Sequence, residues 1–245
     1  MMNADKKVDG IYVVHGITGY EEREVMINDL FQKHGLQHEF VKESEYEDQN
    51  NEWIKQYFVE DIRRKLSKGA LYCTLVHLRC YERILEAGNK FAIVFENDIC
   101  FLKNFNQHLD AVIKEAKQLP SGFMVSLENS TLRFPSYKKT RKGKYLYEAH
   151  FGRCAGAYLI DLKGVQHIME YVKHHKCDKV IDWWHNDLIK ENVIKMYWAH
   201  PPLTEQGSMN GRLPSTISKR TRGNLRSIKW ELQKFYKMRI LRMFR

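Results

Sequence analysis

The chain lacks any Cys-x-x-Cys pair, and its five cysteines (Cys73, Cys80, Cys100, Cys154 and Cys177) are odd in number. That pattern is not a disulfide framework or a zinc ribbon, and it points to a reducing compartment. Long apolar runs are missing too. None approaches the ~18 residues of a transmembrane helix, and the polar start Met1-Met2-Asn3-Ala4-Asp5-Lys6-Lys7 has no signal-peptide core. These absences predict a cytoplasmic protein. No internal repeat and no Gly-x-Gly-x-x-Gly occurs, so the turn His15-Gly16-Ile17-Thr18-Gly19 carries only a weak phosphate-binding signal. Acids are nearly absent from one region. Residues 219–245 hold ten Lys/Arg and a single acid, Glu231, for a net +9 out of the chain's +10. Basicity therefore belongs to the tail and not to the remaining 218 residues, which weighs against a nucleic-acid-binding fold.

What is present supports a folded enzyme-sized unit. At 245 residues with 43% hydrophobic and 12% aromatic content, the chain fits one sizeable α/β domain with an appendage. Its organising stretch is Phe91-Ala92-Ile93-Val94-Phe95-Glu96-Asn97-Asp98, an apolar run ending in two carboxylates. The run reads as a central buried strand. Acids at its carboxyl end suit the edge of an open α/β sheet, where ligands bind, and carboxylate oxygens suit hard divalent cations. A solvated acidic turn is the alternative.

Further strands are expected at 11–14, 38–41, 123–127, 156–160 and 193–198. Helices are expected from Glu21 to a stop at Gly35, over 53–66, 73–87, 105–117 and 163–174, and from about Asp182. Strands and helices alternate, as in an α/β sandwich. His77 on its helix reads first as a hydrogen-bonded structural residue. Lys138, Lys139, Arg141, Lys142 and Lys144 form a charge run, read as a solvated loop that could gather an anionic acceptor. Asp182-Trp183-Trp184-His185-Asn186-Asp187 gathers acids and aromatics, which suits sugar stacking or core anchoring.

Together these segments resemble glycosyltransferase family 25, the lipopolysaccharide and lipooligosaccharide glycosyltransferases. The resemblance rests on Val13-Val14-His15-Gly16 with Arg23, Cys73 to His77, Val94-Phe95-Glu96-Asn97-Asp98 and Gly156-Ala157-Tyr158-Leu159-Ile160. Val180-Ile181-Asp182, Gln206 and Ser215-Thr216-Ile217 complete it. The family's Glu-Asp-Asp reads Glu-Asn-Asp here, with Asn97 removing one charge, and its Asn-Leu and Ser-His read His15-Gly16 and Val76-His77.

The resemblance implies an α/β, GT-A-like nucleotide-diphospho-sugar transferase fold with a mixed, mostly parallel sheet flanked by helices. It implies inverting transfer of a hexose, galactose first, from a UDP-sugar to a lipooligosaccharide or lipopolysaccharide core acceptor. A family member using UDP-glucose, or a non-catalytic sugar-nucleotide-binding relative, is the alternative. Donor contacts fall to His15, Arg23, His77, Glu96 and Asn97. A divalent cation, Mn²⁺ or Mg²⁺, falls to Asp98 first, then Glu96, with His200 completing the shell unless it is structural. The general base is Asp182, with Asp187 and then Glu128 behind it, although an aspartate at a helix start is commonly an N-cap.

The tail repeats Leu225, Ile228, Leu232, Phe235, Tyr236 and Ile240 at helical spacing among Arg226, Lys229, Lys234, Lys237 and Arg242. This predicts two units, a transferase domain over 1–218 and a basic amphipathic tail over 219–245. The tail is read as a peripheral anchor on the anionic inner face of the cytoplasmic membrane, near a lipid-linked oligosaccharide acceptor. A helix docked on its own domain is the alternative. Nucleic acid is not an expected partner.

Overall fold

A computed structural model describes residues 8–43, 52–214 and 224–244. The Ser215-Thr216-Ile217 segment, and Lys219 to Gly223 of the tail, lie outside the described residues. The organising stretch forms strand β3 (Phe91–Glu96) beside β1 (Gly10–Gly16), which in turn pairs with β2 (Glu39–Glu43). These three run parallel. Strand β7 (Ala157–Asp161) pairs antiparallel with both β3 and β5 (Phe123–Ser126), β5 runs parallel to β8 (Lys195–Ala199), and β6 (Leu146–Ala149) closes the edge antiparallel to β8. The order is β2-β1-β3-β7-β5-β8-β6. A separate ribbon joins β4 (Ile99–Phe101) to β9 (Thr204–Gln206). The architecture is the expected α/β one: a mixed sheet flanked by helices, with a C-terminal helix.

The central strands are apolar throughout because both faces are covered. Tyr12, Val14 and Val94 pack with Leu75, Leu78 and Ile168 on the side of α4 (Lys68–Ala87) and α6 (Leu162–His174). Val13, Ile93 and Phe95 pack with Ile27, Phe31 and Val112 on the side of α1 (Glu21–Lys33) and α5 (Phe105–Ala116). The Ser67 side chain accepts the Ala70 N–H at the start of α4, and Gly88, at φ 63°, ends it.

Three expectations need correction. The helix expected over 53–66 is broken into α2 (Glu52–Tyr57) and α3 (Ile62–Lys65). Between them the backbone pairs with Cys177, whose N–H donates to Tyr57 O while Val59 N–H donates to Cys177 O. His15 and Gly16 belong to β1 rather than to a turn, because β2 extends the ladder to them. The basic run is also not a free loop. Arg141 donates to the carbonyls of Lys138 and Thr140, Thr140 Oγ1 donates to Tyr137 O, and the Tyr147 hydroxyl donates to Lys144 O.

After the short helix α8 (Gly207–Asn210), the tail helix α9 (Asn224–Phe235) continues through a π turn (Tyr236–Ile240) and a 3-10 turn (Leu241–Phe244). It has two distinct faces. Arg226, Trp230, Lys234, Met238 and Arg242, spaced by four, face the body. Trp230 packs with Leu132 and Phe134, its Nε1–H donates to Glu205, Lys234 pairs with the same buried carboxylate, and Arg242 donates to Pro135 O. The opposite face leaves Leu225, Ile228, Leu232, Phe235, Met243 and Phe244 exposed. The apolar residues expected to be amphipathic thus point outward, and part of the basic set points inward. Among the described residues no helix is long and apolar enough to cross a membrane.

Candidate active site

The carboxyl ends of β1 and β3 open onto a cavity of about 360 Å³. It gathers His15, Arg23, Glu96, Asn97, Asp98 and Asp182 from four separate stretches of chain. Two glycines make the approach possible. A Cβ on Gly16 would lie 2.3 Å from the Tyr20 ring, and one on Gly156 would lie 2.6 Å from Gln206 Cγ. Gln206 is thereby able to donate from Nε2 to Glu96 Oε2 at 2.7 Å.

Asn97 has a physical reason to be an amide. Arg23 Nη1 donates to its Oδ1 at 2.8 Å, so its Nδ2 faces His15 Nδ1 at 3.0 Å and must donate there. His15 therefore carries its proton on Nε2, towards Glu24. Burial, followed by Lys42, pulls its pKa down to about 4, so the neutral imidazole is the accepting form. An aspartate could take Arg23 but could not donate to His15. The Asn97→Asp substitution is expected to raise the His15 pKa, because a carboxylate favours the imidazolium; NMR titration of the ring would show it. An unchanged titration would mean that Asn97 does not set the state of His15.

His77 lies just behind the cavity. The Tyr158 hydroxyl donates to Tyr81, and Tyr81 donates to His185, so His77 Nδ1–H donates to Tyr158. The His77 Nε2 lone pair is then left buried, without a hydrogen-bond partner, 3.5 Å from Glu96 Oε1. Two electron-rich atoms at that distance call for a proton or a cation between them. The Cys73 thiol joins them, with one ligand atom from each of the three residues lying within 4.8 Å of the others. Asp98 supplies another orphan: its Oδ2 accepts the Ser208 N–H, and its buried Oδ1 has no partner. Cys73, His77 and Glu96 fit a divalent cation, one carboxylate with two borderline ligands, while Asp98 lies outside that cluster and lines the same cavity. Cys73 and His77 are one turn apart on α4 and share a face. That spacing was visible in the sequence, but Cys73 was not singled out.

Asp182 lies in the first turn of α7 (Ile181–Lys190), and its Oδ1 accepts the Trp183 N–H. Val180, not Asp182, is the N-cap. Burial, and then Glu96, raise the Asp182 carboxyl above the usual range. Of the paired tryptophans, Trp184 is buried in the core, whereas Trp183, next to Asp182, is 67% exposed.

Three expected site residues are not brought to the cavity. Asp187 pairs with Lys179. His200 follows β8, three strands from β3 and so roughly 14 Å across the sheet. It packs against Phe134 and Tyr147, and burial, then Arg242 and Arg153, pull its pKa down to about 3; two arginines beside it disfavour a cation. Glu128 is fully buried at the end of β5, where its Oε2 accepts the Ser130 N–H. Burial pushes it up to about 8, only partly offset by the Ser130 bond and by Arg153. Between the ordinary carboxylate range and about pH 8, the unfolded chain has lost a proton that the folded chain keeps, so this group makes stability fall as pH rises through that window. Glu128→Gln is expected to flatten that slope, and urea midpoints at pH 5 and pH 8 would measure it. A slope equal to that of the unsubstituted protein would show that Glu128 ionises normally.

Residues 10–182 match the model of glycosyltransferase family 25, described as LPS biosynthesis protein. A "Glycosyltransferase 25 family member" of Aedes aegypti is 22% identical over 216 residues, covering 80% of this chain and 35% of that protein. The chain thus spans about a third of that relative's length. A glycosyltransferase involved in glycosylation of the major capsid of PBCV-1 aligns at a TM-score of 0.32 and 10% identity, over 66% of this chain and 65% of its own. Mouse xyloside xylosyltransferase 1, in its apo form, aligns at 0.38 and 11%, over 76% and 83%. With its family model matched over more than half of its length, this chain belongs to glycosyltransferase family 25.

Proposed function

We propose that the chain transfers a hexose, galactose first, from a UDP-sugar to a hydroxyl of a lipooligosaccharide or lipopolysaccharide core acceptor, with inversion at the anomeric carbon. The observation that carries this is the convergence of Glu96, Asp98, Arg23 and Asp182 on one cavity at the carboxyl edge of the sheet. A bound divalent cation would neutralise charge on the leaving diphosphate. Arg23, already turned to Asn97, lies within reach of the donor. Asp182 takes the acceptor's hydroxyl proton as the new bond to the anomeric carbon forms. The bond to the diphosphate breaks with its electron pair leaving on UDP. The raised affinity of Asp182 for a proton suits that task, and Trp183 offers a ring face to the acceptor sugar. Asn97 does not favour a non-catalytic relative, because its amide is engaged in holding His15 and Arg23. Turnover of UDP-galactose and UDP-glucose, with Mn²⁺ or Mg²⁺ present, tests the reading. No transfer or hydrolysis of any UDP-hexose would sink it.

The outer face of the tail supports attachment to an anionic membrane surface on the cytoplasmic side. Leu232 and Phe235 are 66% and 60% exposed, with Lys229, Lys237 and Arg239 flanking the stripe. Leu232→Glu with Phe235→Glu is expected to abolish sedimentation with anionic vesicles while leaving thermal stability unchanged. Retained sedimentation would move the contact elsewhere.

A further inference from the structure

A second cleft, of about 490 Å³, opens on the same edge of the sheet, beyond β8. It is lined by Arg141, Lys142 and Lys144 from the basic run and by Arg242 from the C-terminal turn, and no carboxylate lines it. None of the four cations has an ion pair with a carboxylate among the described residues. Arg242 instead donates to Pro135 O and lies 5.2 Å from the Tyr137 ring centroid, and the Lys144 amine lies 5.4 Å from that of Tyr147. Clustered like charges in a concave site raise the local concentration of anions. The loop that holds three of them is tied to itself by the Arg141, Thr140 and Tyr147 hydrogen bonds, so the charges are arranged before any ligand arrives. His200 Nδ1, buried and without a partner, adds a further polar atom to the lining.

We propose that this cleft binds a phosphate group carried by the lipid part of the acceptor. The assignment of that phosphate to the acceptor rests on the transferase reading above, and it names the acceptor's chemistry. Two placements support it. The cleft and the donor cavity share one sheet edge, with β7, β5 and β8 stepping from one to the other, a separation that a short oligosaccharide spans. Beside Arg242, the side chains of Met243 and Phe244 are 54% and 79% exposed, continuing the apolar stripe of α9. A charged head held in the cleft would therefore leave its hydrocarbon chain against that stripe. The planar guanidinium of Arg242 suits phosphate oxygens, and the two lysines supply point charges.

The test uses the full chain, with UDP saturating the donor cavity so that diphosphate cannot bind there. Inorganic pyrophosphate is titrated calorimetrically into it and into the Lys142→Gln/Lys144→Gln variant, whose altered side chains are exposed and outside the donor cavity. Affinity is expected to fall about tenfold in the variant, with UDP affinity unchanged. In a second arm, vesicles containing phosphatidic acid are compared with phosphatidylglycerol vesicles matched in surface potential. The unsubstituted protein is expected to prefer phosphatidic acid several-fold and the variant to lose that preference. Equal pyrophosphate affinity in the two proteins would overturn the site. Equal binding of the two vesicle types would overturn the lipid source and leave a soluble phosphate as the ligand. Tighter binding of a single-stranded oligonucleotide at physiological salt, through the same lysines, would also overturn the proposal. Failure of UDP to bind either protein would count against the donor reading alone.

Discussion

Asp98→Ala is expected to reduce sugar transfer by at least about 10³-fold, on the order of 4 kcal/mol of transition-state stabilisation. Asp98 is 4% exposed, yet its Oδ1 has no hydrogen-bond partner, and burial and then Glu96 raise its carboxyl above the usual range. A buried, unpaired carboxylate beside a second one is costly in an apo protein, and a divalent cation relieves that cost. Glu96 cannot take over. Its Oε2 is held by Gln206, which leaves one carboxylate oxygen where Asp98 would have supplied a second carboxylate. Asp98→Asn keeps the volume and an acceptor for the Ser208 N–H, so it separates loss of charge from loss of packing. Both variants should melt close to the unsubstituted protein while failing in turnover, and EDTA should reproduce the defect without any substitution. Full turnover in EDTA would remove the cation from the mechanism.

Asp182→Asn is expected to lower kcat by about 10²- to 10⁴-fold, the range for loss of a general base, while UDP affinity stays nearly unchanged. The asparagine oxygen can still accept the Trp183 N–H, so α7 should start as before. The distinguishing measurement is the pH profile. Burial and Glu96 raise the Asp182 carboxyl, so kcat should fall on the acid side, along a limb displaced above an ordinary aspartate. In the variant that limb should vanish. An intact limb with undiminished kcat would remove Asp182 as the base, and Asp187 is poorly placed to inherit the role because it is bound to Lys179 away from the cavity.

The C-terminal segment shows where periodicity stops being informative. Its sequence has apolar and basic residues at helical spacing, and that pattern is satisfied by a helix lying on a membrane or on its own domain. The structure shows the docked helix. A series of residues spaced by four through Trp230 binds the body, because Glu205 is buried where it can take both the indole N–H and Lys234, while the apolar stripe stays outside. Glu205 gave no sign of this in the sequence, since its burial depends on the β4–β9 ribbon, two three-residue strands too short to show a period.

By itself the sequence determined the alternation of strands and helices and the acidic end of β3. It also determined a set of motifs ordered enough to place the chain in its family. These are local properties: apolar periodicity, glycine stops and residue order along the chain. Only the tertiary structure decided which polar groups meet. It put His77 and Cys73 behind Glu96, made Asn97 the bridge between His15 and Arg23, and sent His200 across the sheet to a basic cleft with Arg242. The physical reason is the strand order. Residues distant in sequence become neighbours only when β3 lies beside β1 and β7, while β5 and β7 stand between β3 and β8, and no local pattern encodes that arrangement.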